Sequence, residues 1–337
     1  MCLIFDIPED KLSLLQKITL ELGPICNINC RHCIQNVAKD LEWNFIVTDK
    51  CIETLVRWSK VVKPFQRLLF KKPMLLFYGG EPLLYYSDLK EIVSRLEFAG
   101  FDFLAVNLKL FTNGILLSED MVDYFNKYNF EVVLSFDGPN EYAVRPQIAS
   151  EKNILLWHKL NNRGITSCLT SFNSDFLETK FFLKNKFDTD NISIEMIYVN
   201  WDMPIDIYKF PKCYFERQLC RIISYYEYNR LDKSFLTFTK NFLGKITGHY
   251  KNITITLDGH VLNNRFELRS AQNFNNLAEY ACDVCEKAIV CPFAGKHSPK
   301  FSDCNTGSVF FEAYKKYKTR LENLVLRDYA FLALQNY

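Results

Sequence analysis

The first two hundred residues alternate short apolar runs with longer amphipathic stretches. Runs with the length and residue content of strands lie at 17–22, 74–78, 108–111, 131–135, 166–170 and 192–199. Between them the spacing predicts helices with start and stop signals in place. Thr48 opens one, and Ser87 opens another that Gly100 closes. Ser118 caps a third, with Glu119 and Asp120 in the first turn, where negative charge suits the helix dipole. A fourth starts near Ser150 and ends at Gly164. Six β-α units in succession imply a parallel sheet, open or curled into a partial barrel. Loops at the strand C-termini would then build the active site.

Beyond Trp201 the pattern changes. Stretches 212–233 and 235–242 read as helical, and 253–257 followed by Asp258-Gly259 reads as a hairpin. An aromatic-rich amphipathic helix from about Phe310 closes the chain. The expectation is an α/β domain over 1–205, of partial (β/α)6 barrel type, and a smaller α+β extension over 206–337. No low-complexity segment interrupts either part, and nothing repeats beyond the β-α alternation.

Charge and composition narrow the function classes. Forty-one basic residues against 39 acidic leave a formal net charge of +2, so bulk charge gives no reason to expect nucleic acid as a partner. The N-terminus lacks a basic region and a long apolar run, and no window reaches the length of a membrane span. Twelve cysteines in a chain without an export signal argue for metal or redox use over a disulfide framework. A cytoplasmic protein with no membrane partner is expected.

The chemistry starts at Cys26-Asn-Ile-Asn-Cys30-Arg-His-Cys33, directly after the first predicted strand. Gly23-Pro24 and two asparagines make it a loop. Three thiolates on one loop suit an iron-sulfur cluster, because a closed zinc site wants a fourth ligand. A zinc knuckle or a ferredoxin remnant is the alternative. Gly79-Gly80-Glu81-Pro82 follows the second strand, Thr112-Asn113-Gly114 the third, and Ser135-Phe136-Asp137-Gly138-Pro139 the fourth. Each alone is an ordinary turn; their order is what carries information. A second group, Cys282-x2-Cys285-x5-Cys291 with Cys304, sits in the extension and suits zinc or a cluster. Cys2, Cys51, Cys168, Cys213 and Cys220 read as small buried hydrophobes, and His32 as packed beside the thiol loop.

This order of motifs resembles the radical S-adenosylmethionine superfamily, and the C-terminal thiols resemble its SPASM/twitch extension. The resemblance implies that Cys26, Cys30 and Cys33 hold a [4Fe-4S] cluster whose open iron binds S-adenosylmethionine through amine and carboxylate. It implies a cofactor site at Gly79, Gly80, Glu81, Pro82, Thr112, Asn113, Ser135 and Asp137. Arg145, the nearest downstream basic residue, would help Ser135 hold the carboxylate. One electron would then release a 5′-deoxyadenosyl radical that takes hydrogen from a substrate. The full SPASM pattern carries two auxiliary clusters. Here Gly295 and Asn264 stand where relatives have cysteine, so one auxiliary [4Fe-4S] cluster on Cys282, Cys285, Cys291 and Cys304 is implied.

Enzymes with this pairing mostly modify peptides or proteins. The resemblance therefore implies a maturase for a ribosomally made peptide, reduced by a flavodoxin or ferredoxin and served by a leader-recognition site or partner protein. A sulfatase-maturating (formylglycine-forming) enzyme or a small-molecule oxidase is the alternative within the class. A non-catalytic iron-sulfur or zinc electron-transfer protein is the alternative outside it. Asp202, Glu195 and His260 are candidates for acid-base work, with nothing in their spacing to select one.

Overall fold

The computed structural model describes residues 7–33, 47–62, 72–196, 214–238, 251–256, 261–262, 316–324 and 327–328. Six strands follow one another in space as they do in sequence: β1 Leu15–Glu21, β2 Met74–Tyr78, β3 Asn107–Thr112, β4 Glu131–Ser135, β5 Arg163–Leu169 and β6 Ile192–Met196. All five pairings between them are parallel. Each crossover therefore moves one strand in the same direction, without the reversal of a doubly wound sheet. Right-handed crossovers wound one way put their helices on one face, which is the partial-barrel arrangement.

The helices are α1 Glu9–Leu12, α2 Asp49–Val61, α3 Tyr86–Phe98, α4 Glu119–Lys127, α5 Glu151–His158, α6 Phe176–Phe187 and α7 Tyr214–Tyr228. Residues 233–238 and 316–324 are also helical. Period-two alternation decides which strand residues meet the helices. Ile18, Leu20, Leu75, Phe77, Leu108, Leu110, Leu134, Ile165 and Ile194 are buried in one core with Leu55 and Trp58 of α2 and Leu89 and Ile92 of α3. Trp58 is fully buried, and its indole N–H donates to the Leu15 carbonyl at 2.9 Å. Truncating it to Ala would cost about 3–5 kcal/mol. The intervening residues, among them Glu21, Tyr78, Phe111, Ser135, Cys168 and Glu195, lie on the opposite face near the strand C-termini.

At the other end of the strands an ion-pair group sits on that same face. Glu131 lies 2.9 Å from Lys109 Nζ and 3.2 Å from Lys233 Nζ. Burial would push this carboxyl up, but the two lysines outweigh it and hold it down at about 2.

The boundaries differ from the sequence expectation in particular places. α5 ends at His158, and Gly164 lies inside β5, which begins at Arg163. The reason is packing: a Cβ on Gly164 would come within 2.8 Å of Asn191 Nδ2, which donates to the Arg163 carbonyl at 2.7 Å. Ser87 lies inside α3, because a 3-10 turn at Pro82–Tyr85 runs directly into that helix. Gly100 does close α3, with φ +78°. The helix expected over 212–233 is described as Tyr214–Tyr228 and ends before residue 233.

The predicted hairpin is present as β7 Lys251–Thr256 and β8 Val261–Leu262, which pair antiparallel. β7 also pairs parallel with β1, so the hairpin extends the same sheet past its first strand. The sequence pattern gave no sign of that long-range pairing. The expected boundary at residue 205 and the start of the closing helix near Phe310 lie outside the described residues.

Candidate functional site

The thiol loop leaves the C-terminal end of β1 and is seated in two places. The first seat is the end of β2 and β3. Leu22 N–H donates to the Tyr78 carbonyl at 2.7 Å, Gly80 N–H to Gly23 at 2.8 Å and Glu81 N–H to Ile25 at 2.9 Å. The β1–β2 ladder thus continues into the loop. This closeness explains the glycine pair: a Cβ on Gly79 would lie 2.5 Å from the Gly23 carbonyl oxygen, and one on Gly80 2.2 Å from that of Ile25. Their bare backbone clears the loop. Tyr85 adds its hydroxyl, which accepts from Ile25 N–H at 2.9 Å.

Glu81 ties this seat together from beneath. One carboxylate oxygen accepts from the Thr112 hydroxyl at 2.7 Å and Leu83 N–H at 3.0 Å, and the other from Asn113 N–H at 2.8 Å. Burial raises its carboxyl above the ordinary range, opposed by these hydrogen bonds. The Asn113 side chain then reaches the loop itself, donating to Asn27 Oδ1 at 2.7 Å, with Cys26 Sγ 3.9 Å away. Gly114 takes φ +76°, the turn that brings Asn113 over the loop.

The second seat follows β4. Arg31 N–H donates to the Val144 carbonyl at 2.8 Å, and its guanidinium to Ala143 at 3.0 Å. Beneath lie four buried polar residues: Asp137, Glu141, Arg145 and His32. Arg145 Nε is 2.7 Å from Asp137 Oδ2 and 2.9 Å from Glu141 Oε1. Asp137 Oδ1 accepts from Cys168 N–H at 2.9 Å, and the Ser167 hydroxyl donates to the Asp137 carbonyl at 3.1 Å. Burial pushes Glu141 upward, helped by the Asp137 charge, while the Arg145 guanidinium holds Asp137 low against its own burial. Burial pushes His32 down to about 4, so a neutral imidazole faces Asp137 Oδ2 at 3.2 Å.

The three thiols form no disulfide among the described residues, with Cys30 buried and Cys26 and Cys33 half-buried. Burial pushes the Cys30 thiol up to about 12 against the pull of Arg145, so a thiolate there needs a bound metal. The set of three ligand atoms lying within 4.8 Å of one another among the described residues is His32, Asp137 and Cys168, not the three thiols. A closed tetrahedral zinc site wants a fourth protein ligand; three thiols on one loop suit a cluster with one open iron. The donor set fits an iron-sulfur group. The His32–Asp137–Cys168 set is already engaged, since Asp137 serves Arg145 and Cys168 N–H.

Of the remaining expected residues, Ser135 ends β4, half-buried, and makes no hydrogen bond to a described residue through its hydroxyl. Glu195 is the register partner of Cys168 across β5 and β6, on the face that carries Ser135. Pro82 starts the 3-10 turn. Asp202, His260, Cys2, Cys213, Cys282, Cys285, Cys291 and Cys304 lie outside the described residues. Sequence reasoning missed Asn27, Tyr85 and Glu141 as members of the seat. Asn27 was visible as a polar loop residue, but Tyr85 and Glu141 carry no local signal.

Comparison with known proteins bears on the fold. The Radical SAM superfamily model matches residues 20–174. A radical SAM cyclopropyl synthase, TigE of Paramaledivibacter caminithermalis, is 27% identical over 135 residues, which is 37% of this chain and 28% of that protein. A serine-type anaerobic sulfatase-maturating enzyme of Bacteroides thetaiotaomicron is 24% identical over 129 residues, 36% of this chain and 29% of that protein. The matched region spans under a third of either relative's length. Among solved structures, anSMEcpe with bound AdoMet superposes with a TM-score of 0.64 at 16% identity, over 92% of this chain and 99% of that one. SuiB of Streptococcus suis bound to its precursor peptide SuiA gives 0.53 at 15% identity, over 78% and 61%. At these identities the likeness is one of fold.

Proposed function

We propose, from the match of residues 20–174 to the Radical SAM superfamily model, that this protein is a peptide-modifying radical enzyme. A radical SAM domain binds S-adenosylmethionine and a [4Fe-4S] cluster, and together they supply a 5′-deoxyadenosyl radical able to take hydrogen from an unactivated carbon. Cys26, Cys30 and Cys33 would hold the cluster, and Ser135 the cofactor carboxylate. The rest of the chain positions and shields. Glu81 and Asn113 hold the first half of the loop, Arg31 and the buried Asp137–Arg145 pair the second. Both seats lie at the strand C-termini, where a one-way parallel sheet presents its loops.

The observation that carries this reading is the seating of a three-thiol loop against the Gly79–Pro82 turn, with no fourth protein ligand needed. A pure electron carrier has no use for that turn, nor for a Ser135 hydroxyl at the end of β4 that makes no hydrogen bond to a described residue. A peptide substrate is favoured by the fold shared with SuiB, whose structure holds a precursor peptide. Sulfatase-type maturation is the second reading, favoured by the extent of the overlap with anSMEcpe. An auxiliary cluster on Cys282, Cys285, Cys291 and Cys304, an external flavodoxin or ferredoxin donor, a separate leader-recognition protein and a cytoplasmic setting belong to the same proposal. No helix among the described residues is long and apolar enough to cross a membrane.

Anaerobic incubation with dithionite and S-adenosylmethionine tests the core of it. Formation of 5′-deoxyadenosine, lost in Cys30→Ala, is expected. Its absence from the iron-loaded parent protein would overturn the proposal in favour of an electron carrier.

A further inference from the structure

Arg145 is expected at the cofactor carboxylate, and its guanidinium lies between two buried carboxylates and the thiol loop. The group offers five donors in a rigid planar fork. Nε points at two carboxylates, Asp137 at 2.7 Å and Glu141 at 2.9 Å. The outer end points at the thiol loop: Nη1 lies 3.8 Å from Cys30 Sγ, and Nη2 lies 3.5 Å from His32 Nε2. The side chain is only 10% exposed and Asp137 is fully buried, so solvent screens neither charge. The Cys30 sulfur, 115 residues away in the chain, therefore has a fixed buried cation against it.

We infer that Arg145 is a positioning residue for the cluster, whose contact with Cys30 raises its reduction potential. This rests on the reading that Cys26, Cys30 and Cys33 hold that cluster. Reduction adds one electron, so a cation beside a ligand sulfur stabilises the reduced form and a neighbouring carboxylate opposes it. An N–H aimed at the sulfur acts in the same direction. Asp137 and Glu141 hold the fork in place, and the two signs of charge sit on opposite sides of the guanidinium. A purely structural ion pair would fasten the 137–145 segment to the loop and leave the potential where it was.

The experiment uses the full chain, reconstituted anaerobically, as parent, Arg145→Gln, Arg145→Lys and Asp137→Asn. Iron is counted, and the electron paramagnetic resonance signal that responds to S-adenosylmethionine is followed in a redox titration. That response keeps an auxiliary cluster out of the measurement. At a fixed potential near the parent midpoint, Arg145→Gln should lower the reduced-to-oxidised ratio at least tenfold, a shift of about 59 mV to more negative potential for one electron. Arg145→Lys, which keeps the charge and loses the fork, should fall between it and the parent. Asp137→Asn should move the midpoint the other way. Opposite signs from two partners of one ion pair are not expected from general loosening. A parent midpoint in Arg145→Gln overturns the inference. Should that variant fail to hold iron, an unchanged or negative shift in Asp137→Asn overturns it instead. A parent that shows no S-adenosylmethionine-responsive signal would overturn the cluster reading itself, which is a separate failure.

Discussion

The side-chain amide of Asn113 donates to Asn27 Oδ1 at 2.7 Å, joining the end of β3 to the thiol loop across 86 residues. Asn113 Oδ1 accepts in turn from Ile115 N–H at 3.0 Å, so the amide is held at both ends. One neutral hydrogen bond of this kind is worth about 1 kcal/mol net. Asn113→Ala should therefore leave the chain folded and speed iron loss to a chelator about fivefold. Asn27→Ala should do the same, and the double variant should be little worse than either alone. Additive effects would mean that the two asparagines act independently.

Ser135→Ala should weaken S-adenosylmethionine binding and leave iron content at the parent value. Its hydroxyl ends β4 on the strand face turned away from the helices and makes no hydrogen bond to a described residue. A bond to a charged carboxylate is worth about 1.5–3 kcal/mol, or roughly 10- to 150-fold in affinity. Equal affinity in titrations of variant and parent would remove Ser135 from the site.

Glu131 makes a prediction about acid. Its folded carboxyl titrates near 2, below the ordinary value of 4.5, so its ion pairs contribute stability that is full above about pH 4.5 and lost as pH falls towards 2. The shift corresponds to roughly 3 kcal/mol. Glu131→Gln should lower the urea midpoint of the apoprotein strongly at pH 6 and much less at pH 3. A gap between variant and parent that does not narrow on acidification would show that the lysines contribute little.

Cys285→Ala addresses the extension. Reconstituted parent should hold ~8 Fe per chain and the variant ~4 Fe, with cofactor cleavage persisting at the first site. Finding ~12 Fe in the parent, or zinc at the C-terminal site of protein purified without air, would refute the single auxiliary cluster.

The sequence by itself determined the order of β-α units, the three thiols and the turns that follow each strand. These are local: a strand announces itself by alternation, a turn by Gly-Gly or Asn-Gly, and a ligand set by spacing along one loop. Ser118 and Ser150 were legible as caps because a cap is decided within four residues, and both accept from the N–H three positions on. Tertiary structure decided the rest. Gly164 reads as a helix stop, yet it serves β5, because Asn191 needs the space its missing Cβ leaves. The β7 strand joins β1 through backbone pairing, which has no sequence code of its own. Gly79 and Gly80 looked like a ligand turn, and their closest neighbours are the backbone of Gly23 and Ile25. Arg145 sits ten residues beyond Ser135 in sequence and suggested the cofactor; in space its fork lies between Asp137 and Cys30. A buried charge must find its partners wherever the fold brings them, and sequence spacing cannot say where that is.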